Sequence, residues 1–139
     1  MATKRRKKRH YKTGTHHSPK CSTPINYRSG WELVVAQTLD ENPDVVSYEY
    51  ESLKIPYKMA GKVHYYFPDF LVTYKGGRRL LVEVKRADKL TNRKVIAKAT
   101  AARVWLRENK ETMGDCGFEF WTNSLIEAFQ KLLELKKKG

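Results

Sequence analysis

The 139-residue sequence contains no run of about 18 consecutive apolar residues, the least a membrane-crossing helix requires. Cysteine is scarce. Cys21 and Cys116 are the only two, too few for a disulfide framework, and a reducing compartment is expected. Acidic residues are missing from the first 20 positions, where Lys4, Arg5, Arg6, Lys7, Lys8, Arg9, Lys12 and Lys20 stand alone. That basic start has no apolar stretch behind it, so a secretory signal is not expected. Aliphatic side chains are nearly absent from residues 1–24, which end in Ser22-Thr23-Pro24. A segment so poor in apolar surface cannot offset its ordering entropy, and it reads as a disordered basic arm over 1–24. His10, His16, His17 and Cys21 fall in no common zinc spacing.

What is present is basic charge, unevenly placed. The net charge is +13, from 28 Lys and Arg against 15 Asp and Glu, and +8 of it lies within the first 20 residues. A basic arm on a moderately basic globule suits a polyanionic partner. The dense run Lys4–Arg9 suits phosphate neutralisation with counterion release.

Residues 25–139 read as one folded domain. Ser29-Gly30-Trp31-Glu32 has the form of a capping box, followed by Val34, Val35 and Leu39 at helical spacing and stopped by Asn42-Pro43. Extended segments follow at about 45–50, 53–59, 63–74 and 78–85, with turns at Ala60-Gly61-Lys62 and Gly76-Gly77. Val95, Ile96, Ala99, Ala102, Trp105 and Leu106 make a helical stripe over about 92–109. A short strand at 118–121 and a helix over 125–135, capped by Ser124, complete the chain. The order α-β-β-β-β-α-β-α predicts an α/β fold with a mixed sheet flanked by helices.

The informative residues are charges inside apolar strands. Asp69 stands in Phe67-Pro68-Asp69-Phe70-Leu71-Val72, and Glu83 and Lys85 stand in Leu80-Leu81-Val82-Glu83-Val84-Lys85. A buried charge is costly unless it is paired or binds a metal. A three-residue turn, Lys75-Gly76-Gly77, pairs positions whose numbers sum to 152 and sets Asp69 opposite Glu83, with Lys85 on the same face. Opposed carboxylates repel, and a divalent cation between them reverses that sign. Mg2+ suits such an oxygen site, with Lys85 placed to orient water or stabilise charge on a phosphate. The implied chemistry is metal-assisted phosphodiester hydrolysis. Glu32 has two readings of equal standing, a third carboxylate facing the sheet or a capping-box residue bonded back to Ser29. Asp40, Glu41, Asp44, Glu49 and Glu51 read as surface charges. Arg86, Lys89, Lys94 and Lys98 are candidate phosphate contacts alongside Lys4, Arg5, Arg6, Lys7, Lys8 and Arg9.

Pro68-Asp69 with Glu83-Val84-Lys85 resembles the signature of the PD-(D/E)xK nuclease superfamily, and the helical Glu32 resembles its TnsA-like branch. Tyr27-Arg28-Ser29, Trp31-Glu32, Leu39-Asp40, Asn42-Pro43, Ile55-Pro56-Tyr57 and Tyr66-Phe67 extend the likeness toward the head completion nucleases of T-even-type tailed phages. One position departs: TnsA-type enzymes have Gln where Glu83 stands. The resemblance implies a restriction-endonuclease-like core and Mg2+-dependent cleavage of double-stranded DNA, with Mn2+ as a substitute. Asp69, Glu83 and Glu32 become its metal ligands, and Lys85 joins them as the catalytic lysine. It further implies action on packaged DNA before head-tail joining, in the host cytoplasm or virion. Portal or head-tail connector proteins become partners, and a second copy of the chain would serve a double-strand cut. A non-catalytic DNA-binding connector or plug that keeps the fold, a transposon-end endonuclease and a basic RNA-binding structural protein are the competing readings.

Overall fold

The computed structural model describes residues 12–138. Four strands form the main sheet: β3 (Val45–Tyr50), β6 (Phe70–Tyr74), β7 (Arg79–Val84) and β8 (Cys116–Trp121), in the order β3-β6-β7-β8. The first three are antiparallel neighbours, and β8 runs parallel to β7. The sheet is therefore mixed, as the alternation of elements predicts. Two small hairpins lie apart from it, β1 (Gly14–His16) with β2 (Ile25–Tyr27), and β4 (Ile55–Met59) with β5 (Lys62–Tyr66). Ala60 and Gly61 close the second hairpin at φ 54° and 74°, the left-handed pair that a two-residue turn needs.

Helices cover both faces. α1 (Gly30–Glu41) and α4 (Asn123–Lys138) share a core with one face, where Val35, Ala36, Leu39 and Ile126 meet Phe70, Val72, Leu80 and Val82. α2 (Arg93–Glu108) covers the other with the β4–β5 hairpin, placing Ala99, Ala102 and Leu106 against Leu71, Leu81 and Phe118. A strand buried on both sides has no solvated face, which is why 69–72 and 80–84 read as near-continuous apolar runs. α2 starts where Asn92 accepts hydrogen bonds from the Lys94 and Val95 amides, 2.9 and 3.3 Å away. A 3-10 turn (Ala87–Lys89) precedes it, and a single helical turn, α3 (Lys110–Met113), follows.

Several sequence readings need correction. The extended segment 63–74 is two strands, because Pro68 has no amide hydrogen for a ladder and is fully buried in the break between them. The last helix begins at Asn123, with the Ile126 amide donating to Thr122 O, so Ser124 is inside it and not its cap. Residues 12–24, read as part of a disordered arm, are folded. β1 pairs with β2, Cys21 is buried in the first core, and Lys20 Nζ donates to Leu39 O and Asn42 O at the end of α1. Asp40, read as a surface charge, anchors this segment. It accepts from Tyr48 Oη at 2.9 Å, lies 2.7 Å from His16 Nε2, and accepts from the Ser18 hydroxyl. The basic run Lys4–Arg9 lies outside the described residues.

Candidate active site

The β6–β7 turn sets the register on which the site rests. Phe70 pairs with Val82, Leu71 with Leu81, Val72 with Leu80 and Thr73 with Arg79, each pair summing to 152. Tyr74 N donates to Arg78 O across the three-residue turn at 2.8 Å, with Gly76 and Gly77 both at φ 91°. Continued one step, this ladder sets Asp69 against Glu83. Their backbones and carboxylates interlock, the Val84 amide donating to Asp69 Oδ2 at 2.8 Å and the Asp69 amide to Glu83 Oε1 at 3.3 Å. Both acids are buried, and Lys85 Nζ lies 4.0 Å from Glu83 Oε2.

Their electrostatics follow from this burial. Desolvation pushes the Asp69 carboxyl well above the usual carboxylate range, and the charge of Glu83 raises it further. Glu83 is also raised by burial, while the Tyr66 hydroxyl and the Lys85 ammonium pull it back. Lys98, on α2, is lowered by its own burial and held up in part by Glu83. Two acids are thus held together in a place that penalises their charge, with two cations beside them.

Glu32 reaches the same cleft from α1, which packs on the opposite face of the sheet. Ser29 Oγ accepts from the Glu32 amide at 3.2 Å, as a capping box requires. The carboxylate then accepts from the Arg28 amide at 2.9 Å rather than from Ser29, and from Tyr50 Oη at 2.6 Å. Both bonds use Oε1. Among the described residues no three His, Cys, Asp or Glu side chains come close enough together to hold a metal ion. The convergence of three carboxylates expected from the sequence is therefore not realised: Asp69 and Glu83 are joined, and Glu32 shares the cleft while its Oε1 is held by Arg28 and Tyr50.

The cleft, about 420 Å3, is lined by Glu32, Asp69, Glu83, Lys85 and Lys98 together with residues the sequence reading missed. Tyr66 is one, and Arg28, ion-paired with Glu51, is another. Glu51, which reads as a surface charge, lines the cleft too, and Arg28 and Tyr66 stand in the sequence only as parts of the resembling stretches, with no role assigned to them. A second cleft of about 880 Å3 shares Glu32, Val84 and Lys85 with the first. Lys12, Arg86, Lys89 and Lys137 line it. Of the candidate phosphate contacts, Lys98 thus lies in the first cleft and Arg86 and Lys89 in the second. Lys94 is exposed at the start of α2.

A family described as TnsA-like endonuclease N terminal matches residues 42–113, a span that contains Asp69, Glu83 and Lys85. The chain belongs to this TnsA-like family. The TnsA-like span stops short of α1, so Glu32 lies outside it. The chain is also similar to the head completion nuclease of Enterobacteria phage T4, 35% identical over 63 residues, which is 44% of this chain and 42% of that protein. It thus spans less than half the length of this relative.

Proposed function

We propose that this chain is a divalent-metal-dependent DNA endonuclease with a restriction-endonuclease-like core. We propose that it acts at phage head completion on packaged DNA before head-tail joining. The observation that carries this reading is the Asp69–Glu83 pair, two buried carboxylates locked across a hairpin with Lys85 beside them. Family membership and the similarity to the phage T4 head completion nuclease support it.

The donor set fits Mg2+. Its oxygens are hard, and both acids are raised by burial, a penalty a divalent charge would reverse. Asp69 and Glu83 would hold the ion, with Glu32 lining the same cleft. When bound, such an ion supplies Lewis-acid polarisation of a phosphoryl oxygen and an acidified water. Hydrolysis forms one P–O bond to water oxygen and breaks one ester P–O bond. The water gives up a proton and the leaving oxygen gains one. Lys85 is the cation beside the pair and stabilises charge growing on the phosphate. Tyr66 steadies Glu83, and Lys98 adds positive charge from α2. Arg86 and Lys89 in the adjoining cleft, Lys94 on α2, and the run Lys4–Arg9 carry the phosphate backbone of double-stranded DNA.

A second reading is a non-catalytic DNA-binding connector or plug that keeps the fold. The lack of a three-residue metal cluster among the described residues favours it. Plasmid DNA incubated with Mg2+, with EDTA and with Lys85→Ala separates the two. Nuclease action predicts cutting with Mg2+ that is lost in EDTA and falls about a hundredfold or more in Lys85→Ala. Cutting that survives EDTA, or is unaffected by Lys85→Ala, contradicts the mechanism. Binding without cutting selects the plug.

A further inference from the structure

Two exposed rings border the carboxylate cleft. Tyr65 is 55% exposed and Phe67 47%, and both line it. Neither belongs to a core. Tyr66, between them, is the one that turns into the core under α2, because alternate residues of an extended chain face opposite ways. Phe67 directly precedes the fully buried Pro68. It stands two residues from Asp69, about 6–7 Å of extended chain.

Cations are interleaved with the rings. Lys54 Nζ sits 4.4 Å from the centroid of the Tyr65 ring, and Arg28 and Lys85 line the same cleft. Aromatic faces set among cations are the means by which proteins hold single-stranded nucleic acid, the bases stacking on rings and the phosphates meeting the charges. Bases inside a duplex already have both faces covered by their neighbours and gain nothing from such rings. Resting on the nuclease reading of this cleft, we infer that Tyr65 and Phe67 form a stacking platform for unpaired nucleotides. The preferred substrate is then DNA with a single-stranded segment, such as an overhang or fork, next to the bond that is cut.

The test compares a forked oligonucleotide, 2-aminopurine in its unpaired arm, with a blunt duplex of equal phosphate count. Binding is measured for the full chain in EDTA and cleavage in Mg2+. The fork should bind about tenfold or more tightly than the duplex, with a change in 2-aminopurine fluorescence. The ratio should fall to about one in the Tyr65→Ala/Phe67→Ala double variant and be kept in Tyr65→Phe/Phe67→Tyr. A melting curve controls for folding, and both side chains are exposed. Equal binding of fork and duplex by the wild type, or a preference untouched by the double alanine variant, overturns the inference. Because binding is read without a divalent ion, the two readings can fail separately. A chain that stacks forks on these rings but cuts nothing keeps the platform and removes the nuclease. A chain that cuts fork and duplex equally, whatever the rings, does the reverse.

Discussion

Replacing Asp69 with Asn should make the metal-free protein more stable. Directly opposed residues on neighbouring antiparallel strands stand about 5 Å apart. At an effective dielectric constant of about 20, two like charges at that distance repel by about 3 kcal/mol. Asn keeps an oxygen for the Val84 amide that Asp69 Oδ2 now accepts, and its amide group can donate toward Glu83. After some loss to water penetration, a gain on the order of 2 kcal/mol remains, about 6–8 °C in melting temperature for a domain of this size. The effect has a direction in pH. Asp69 and Glu83 are both raised in the folded chain by burial. Above about pH 4 the unfolded chain has released protons that the folded chain still holds, so wild-type stability falls as pH climbs through the folded-state values. Wild type and Asp69→Asn should therefore converge below about pH 4 and diverge above it. Mg2+ should close the gap: at ten times its dissociation constant it adds about 1.4 kcal/mol to the wild type and little to the variant. Differential scanning fluorimetry with MgCl2, against NaCl at matched ionic strength, reads both effects. An Asp69→Asn protein that melts below wild type near neutral pH without divalent ions refutes the repulsion. Equal Mg2+ shifts in both proteins refute the ion site.

Asp40→Ala removes the acceptor shared by His16, Ser18 and Tyr48 and should cost about 2–3 kcal/mol, seen as a lower melting temperature and faster tryptic cleavage at Lys20. Glu32→Gln keeps an oxygen for the Arg28 amide and Tyr50. Its melting temperature should stay within about 2 °C of wild type, while DNA cleavage drops about tenfold or more if the cleft needs its charge; lost stability with full turnover would mean that capping is its whole role. Deleting residues 2–11, which include six basic residues in a row, should flatten the plot of log binding constant against log salt by about 5 on duplex DNA, and an unchanged slope would assign the run to a protein partner.

The parts of the site that were legible in the sequence are those with local causes. Gly76-Gly77 and the uninterrupted apolar runs on either side determined the register, and through it the meeting of Asp69 and Glu83. The apolar stripe from Val95 to Leu106 announced α2, and Ser29 announced α1. What escaped notice depends on partners far apart in the chain. Asp40 looks like any acid near a helix end until Ser18 and His16, more than 20 residues earlier, fold onto it. Tyr50 holds Glu32 across 18 residues, and no periodicity records that bond. Pro68 was the one local sign that a long extended segment breaks, and the aromatic and β-branched residues on both sides of it hid the break. The sharing of Glu32 Oε1 between Arg28 and Tyr50 is a matter of angles between elements, which residue types alone do not encode.

The clasp that Asp40 makes on His16 and Ser18 also holds in place the segment that Lys12 leads into. Lys12 forms part of the wall of the larger cleft. On the nuclease reading proposed above, this adds a cation to the groove that a phosphate backbone would follow. A break in the Asp40 clasp would then free Lys12 from that wall and weaken DNA binding with Asp69, Glu83 and Lys85 untouched.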